Sequence, residues 1–252
     1  MSATAAPVNS SSSIQLVLLD LDSTLFDHHH SLQSAISACQ QHFPVLAVHS
    51  LPTLTTAYNA ALQHAYDRYL AKEITYDETE PLKVGLFFTS LGISTPPTVQ
   101  EFRSIYKPVY RASSRATPGA IETLIRLRER GYRLAIVTNG QTEEQQAKAE
   151  AIGVLGLVER VFTSQGLGMC KPEGAIFRFA VRQMGVEAER TVMVGDSVEA
   201  DVKGAVDAGL GAILYAPEKG EALITVCGEE VPVVHSMEGL IGYLDTARGG
   251  WE

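Results

Sequence analysis

The sequence predicts an α/β fold: a mostly parallel sheet with an all-helical insert after its first strand. Three observations predict it. Apolar runs of strand length alternate with helical periodicity from Gly119 onward. The stretch from Asp27 to Ala112 carries helical spacing and no convincing strand. One further apolar run, IQLVLLDLD, precedes that stretch.

Taken in order, residues 1–13 lack the charged start and apolar centre of a secretion signal and read as a disordered tail. Ile14–Leu19 reads as the buried centre of a sheet, yet it ends in Asp20 and Asp22. Burying a carboxylate is unfavourable unless something pairs with it, so this is a strand meeting water or the start of a site. In the insert, Tyr58, Leu62, Ala65, Tyr66, Tyr69 and Leu70 recur at three and four, and Thr98 with Glu101 forms a capping box. His28-His29-His30 reads as a solvated first turn capped by Asp27, because consecutive residues splay around a helix and ligate one ion poorly. ASSRAT (112–117) is a small polar linker out of the insert. A helix follows from Thr117-Pro118 to Gly131, then a strand over Tyr132–Asn139. Thr142 with Gln145 suggests a second capping box, opening a helix that closes at Gly153. Arg160–Ser164 is a short strand; Ile176, Phe177, Ala180, Val181 and Met184 form a helical stripe ended by Gly185; Thr191–Asp196, Gly211–Ala216 and Val231–Ser236 are further strands. The predicted division is a core of 14–26 with 113–252, and an insert of 27–112.

The 252 residues carry a formal net charge of −9 and no basic run, which argues against a sequence-independent grip on nucleic acid or an anionic membrane. The longest apolar segment is broken by Asp20, so no membrane span is expected. Cys39, Cys170 and Cys227 are odd in number and lack metal-type spacing, which suits free thiols in a reducing, cytoplasmic compartment. Whether the chain is a monomer or a homodimer is not legible.

In an open parallel sheet the ligand crevice lies beyond the carboxyl ends of the strands. Asp20 and Asp22, Thr138-Asn139-Gly140, Lys171 in MCKPEG, and Asp196 with Asp201 in GDSVEAD all fall there. Asp20 and Asp196, with a backbone carbonyl near Asp22, are hard oxygen ligands suited to Mg²⁺. Asp20 is the best-placed covalent nucleophile for phosphoryl transfer, and Asp22 the acid/base that protonates the leaving alkoxide and then activates water. Thr138, nearby backbone N–H groups and Lys171 would hold phosphoryl oxygens. Asp201 is placed behind the metal, orienting a bound water. Gly166 and Gly168 lack the third glycine of a dinucleotide loop.

DLDSTL, VTNG, CKPEG and GDSVEAD, in that order, resemble the four motifs of the haloacid dehalogenase superfamily. The resemblance implies a Rossmann-like core with a helical cap, and Mg²⁺-dependent phosphatase activity on a small phosphorylated substrate. It implies Asp20 as nucleophile, Asp22 as acid/base, Thr138, Asn139 and Lys171 as phosphate binders, and Asp196 with Asp201 as metal acids. GDSVEADVKGAVDAGL is also similar to the branch holding N-acylneuraminate phosphatases and pyrimidine nucleotidases. Within the superfamily the alternatives are a 2-haloacid dehalogenase, against which Asp22 and the GDSVEAD acids argue, and a phosphomutase. A receiver domain disagrees in motif order and size, and an inactive scaffold disagrees with the full set of acids. Substrate choice is expected to lie in the insert, where Arg68, Arg103, Lys107 and Arg111 are candidates for a second anionic group.

Overall fold

The computed structural model describes residues 13–248; of the expected tail, all but Ser13 lies outside the described residues. The chain forms two compact units, one running to Leu25 and resuming at Ala116, the other Phe26–Arg115.

In chain order the elements are β1 (Leu16–Leu19), α1 (His28–His42), α2 (Leu51–Leu70), α3 (Tyr76–Ser90), α4 (Val99–Ala112), α5 (Ala120–Glu129), β2 (Arg133–Thr138), α6 (Thr142–Ala151), β3 (Arg160–Thr163), α7 (Ser164–Leu167), α8 (Gly174–Met184), β4 (Thr191–Gly195), α9 (Gly204–Asp207), β5 (Gly211–Tyr215), β6 (Leu223–Val226), β7 (Glu229–Val234) and α10 (Met237–Arg248). The sheet order is β3-β2-β1-β4-β5-β7-β6, parallel throughout except for the β6–β7 pair. β1 lies between β2 and β4, with Leu18 opposite Ala135 and Met193. The strand order reverses between β1 and β4, and at such a point two loops diverge and open a crevice.

β1 is buried residue by residue, as a strand covered on both faces must be. Leu16 and Leu18 join Ala135 and Val137 in packing against Ile176, Phe177, Ala180, Val181 and Met184, the stripe legible in the sequence of α8. The predicted strand over Val231–Ser236 forms as β7, starting two residues earlier at Glu229, while β6 and the tight turn that joins it to β7 are additions to the predicted strands. The turn residues Cys227 and Gly228 both have positive φ, as a two-residue hairpin turn requires.

The Phe26–Arg115 unit holds α1 to α4 around an aromatic centre. Tyr58 meets Phe87 edge-on with centroids 5.3 Å apart, and lies 4.7 Å from Tyr106 and 5.7 Å from Phe102. Of the three tyrosines in the sequence stripe only Tyr58 is fully buried; Tyr66 and Tyr69 are half-buried and meet each other edge-on. The Thr98–Glu101 capping box forms as expected, and Thr75 with Glu78 makes a second.

Asp27 caps α1 by accepting from the His30 N–H at 2.9 Å, and its other oxygen accepts two bonds from Arg115, at 2.7 and 2.9 Å. Partial burial would raise the Asp27 carboxyl, but the His30 N–H and the Arg115 guanidinium outweigh it and hold the carboxyl below its usual range. A depressed acid contributes stability that is present above its unfolded value and lost as pH falls through the folded one. Asp27→Asn is therefore expected to destabilise the protein by about 1 kcal/mol at neutral pH. Thermal melts at a series of pH values should show that difference shrinking below about pH 4, where the unfolded carboxyl takes its proton.

Candidate active site

The site forms where β1 and β4 end side by side. The Asp20 N–H donates to the Val194 carbonyl at 2.9 Å, which fixes Asp20 as the first residue past the β1 ladder. Asp196 follows β4 directly, and Asp201 lies in the π-helical segment Val198–Lys203. Asp20, Asp196 and Asp201 each place a carboxylate oxygen within 4.8 Å of the others.

Lys171 reaches this group from the loop after α7. Its Nζ donates to Asp20 Oδ1 at 2.5 Å and to Asp201 Oδ1 at 2.6 Å, and all three side chains are buried. Burial alone would lower the Lys171 ammonium, but the charges of Asp20 and Asp201 outweigh it and hold it above its ordinary value. Asp20 is raised well above a normal carboxyl, first by burial and then by Asp201 and Asp196, against the opposing pull of Lys171. Asp196 keeps solvent on its outer edge, yet protein atoms crowd it enough that desolvation, then the charge of Asp201, raises it to about 6. Thr24, buried, donates to Asp196 Oδ1 at 3.3 Å.

With every carboxylate ionised, the three acids and one ammonium would carry a net of two negative charges, and burial first, then this crowding of like charge, raises Asp20 and Asp196. The donors are hard oxygens. Together they fit a divalent cation of the Mg²⁺ type better than a soft metal.

Gly195 is shaped by this group. A Cβ at that position would lie 2.2 Å from Asp201 Oδ2 and 2.3 Å from its Cγ, so only glycine lets the Asp201 carboxylate lie over the end of β4. Gly195→Ala is expected to displace Asp201, reduce hydrolytic activity by about 10²-fold, and lower stability by about 1–3 kcal/mol through overpacking. Steady-state kinetics and thermal melts check both.

The other predicted residues sit as follows. Thr138 ends β2 and is buried. The Asn139 amide clamps the Lys171 backbone, its Oδ1 accepting from the Lys171 N–H and its Nδ2 donating to the Lys171 carbonyl, both at 2.9 Å. That engagement suits Asn139 to holding Lys171 in place. The Gly140 N–H donates to Ser164 Oγ at 2.9 Å. The Asp22 carboxylate lies outside the group of three acids and is paired with Lys148 and Gln145 of α6. Asp201 accepts from the Ser197 N–H through Oδ2 at 3.0 Å, in addition to its bond with Lys171.

The Thr142–Gln145 capping box does not form. Gln141 is the N-cap residue of α6, Thr142 pairs through its hydroxyl with Thr163 at 2.7 Å, and the Gln145 amide is drawn to Asp22 instead. Thr24, Gln145, Lys148 and Gly195 are site residues that sequence reasoning did not single out. The three-residue spacing of Gln145 and Lys148 on one helix face was the available signal. In the Phe26–Arg115 unit, Arg68 pairs with Glu73 at 2.9 Å, while Arg103 and Arg111 are exposed and Lys107 is half-buried.

No helix among the described residues is long and apolar enough to cross a membrane. The chain is 33% identical over 218 residues to a glyceraldehyde 3-phosphate phosphatase of Methanothermobacter thermautotrophicus, covering 83% of this chain and 88% of that one. It is 27% identical over 204 residues to the pyrimidine 5'-nucleotidase PynA of Streptococcus pneumoniae, covering 81% and 84%. Among solved structures, the magnesium-bound HAD-hydrolase YfnB of Bacillus subtilis superposes with a TM-score of 0.75 at 21% identity, over 92% of this chain and 99% of that one. Residues 14–209, well over half of the chain, match the haloacid dehalogenase-like hydrolase family, and the chain belongs to that family.

Proposed function

We propose that the protein is a Mg²⁺-dependent phosphomonoesterase acting on a small phosphorylated metabolite, with Asp20 as the covalent nucleophile. The observation that carries the reading is the grip of Lys171 on Asp20 inside a group of three acids with excess negative charge, at the switch point of the sheet.

Asp20 attacks phosphorus and the ester oxygen leaves, so that the phosphoryl group passes to the aspartate as an acyl phosphate. Lys171 and the Thr138 hydroxyl, with N–H groups of the loop after β2, hold the phosphoryl oxygens as charge shifts. Asp22 gives its proton to the departing alkoxide; ionised, it then takes one from the water that attacks phosphorus and frees Asp20. Asp20 and Asp196, with the backbone carbonyl of Asp22, would hold Mg²⁺, and Asp201 supports from behind through Lys171. When bound, the ion neutralises the excess charge and draws electron density from the phosphoryl oxygens.

Glyceraldehyde 3-phosphate and pyrimidine 5'-nucleotides, for which two relatives are named, set the first substrates to try, followed by other sugar phosphates and sialic acid phosphates. Cys39, Cys170 and Cys227, none of them in a disulfide among the described residues, and the acidic chain suit a reducing, cytoplasmic setting. The test is phosphate release from that panel with Mg²⁺ and with chelator. Turnover that chelation abolishes is the expected result. Halide release from a chloroacid without metal, or no phosphate release from any ester, contradicts it.

A further inference from the structure

Asp22 is held from α6 by two side chains. Lys148 Nζ donates to both of its oxygens, at 2.6 and 2.9 Å, and Gln145 Nε2 donates to one of them at 3.0 Å. The same Nε2 donates to the Asn139 carbonyl at 3.1 Å. Gln145 and Lys148 lie three residues apart and so share one face of the helix.

Folding does not account for this arrangement. The ion pair is partly open to solvent, with Lys148 21% and Asp22 31% exposed, and pairs of that kind contribute little to stability. Gln145 is buried and its Oε1 has no partner among the described residues, an unfavourable state for a buried acceptor. The loop after β2 is nevertheless shaped to admit this amide, for a Cβ at Gly140 would lie 2.2 Å from Gln145 Nε2. The donor side of Gln145 is kept at the expense of its acceptor side.

We propose that Gln145 and Lys148 are positioning residues for Asp22. They fix the direction of its carboxylate, and Gln145 ties that direction to the phosphate-binding loop through the Asn139 carbonyl. A short aspartate side chain otherwise samples several staggered orientations, and a proton donor that must be sought among them loses the advantage of being held ready. The inference rests on the reading of Asp22 as the acid/base, because both residues act only through it.

The test is a comparison of Lys148→Met, Lys148→Arg, Asp22→Asn and the double variant Asp22→Asn/Lys148→Met, assayed with Mg²⁺ on glyceraldehyde 3-phosphate and on uridine 5'-monophosphate. Lys148→Met should lower kcat by about 10- to 100-fold and leave KM within about three-fold. Lys148→Arg should recover most of that loss. On the Asp22→Asn background Lys148→Met should subtract nothing further, since its effect passes through a carboxylate already removed. Gln145→Met, in place of Lys148→Met, gives an independent reading with the same expectation, should the first variant melt early. An unchanged kcat, a loss confined to KM, no recovery with arginine, or an additive loss in the double variant overturns the positioning role. Full activity in Asp22→Asn alone overturns instead the reading of Asp22 on which it rests.

Discussion

Asp20→Asn is expected to abolish phosphate release, by at least about 10⁴-fold in kcat, because the amide removes the nucleophile and no neighbouring group replaces it. The same variant should melt at least as high as the natural protein when divalent ions are absent. Burial, with the charges of Asp201 and Asp196, disfavours the ionised Asp20 carboxylate more than Lys171 favours it. A neutral side chain of nearly equal volume relieves that strain. Loss of function with no loss of stability marks a residue kept for chemistry rather than for folding. Kinetics and melts in chelator check both halves; an active variant, or one that barely folds, contradicts the assignment.

Lys171→Met is expected to have the opposite effect on stability. The ammonium is the buried countercharge of Asp20 and Asp201, and removing one partner of a buried set leaves the others uncompensated, typically at about 3–5 kcal/mol. In a chain of this size that corresponds to a fall in Tm of at least about 6 °C. Activity should fall by at least about 10³-fold, since the same group holds phosphoryl oxygens. Added Mg²⁺ should raise the melting temperature of the variant by more than it raises that of the natural protein, because the ion then supplies the missing countercharge. Equal Mg²⁺ effects in the two proteins would mean that the acids are not jointly its site.

The site was legible where position in the chain fixed position in space. Asp20 and Asp196 each directly follow a strand of a parallel sheet and Thr138 ends one, and parallel strands bring their carboxyl ends to one edge whatever the side chains do. Lys171 was legible by its place in the motif order, although its bonds to both Asp20 and Asp201 depend on packing that no local pattern encodes. Gln145 was misread because its spacing from Thr142 fits a cap as well as it fits a helix face turned toward Asp22; tertiary contact decided between them. β7 was legible as an apolar strand, but β6 and its turn escaped because Cys227 at a positive φ is a weak turn signal beside the usual asparagine or aspartate. In the insert, Phe87, Phe88 and Phe102 complete the core around Tyr58, but α3 carries Pro81 and a diffuse apolar pattern that gave no clear stripe.

The most direct measurement is a single turnover with an ester labelled in its phosphoryl group, quenched in acid and mapped by peptide. The account predicts transient label on the peptide that carries Asp20, absent in Asp20→Asn and decaying as free phosphate appears. Hydrolysis of the ester with no labelled protein at any time, or with label on another side chain, would contradict it.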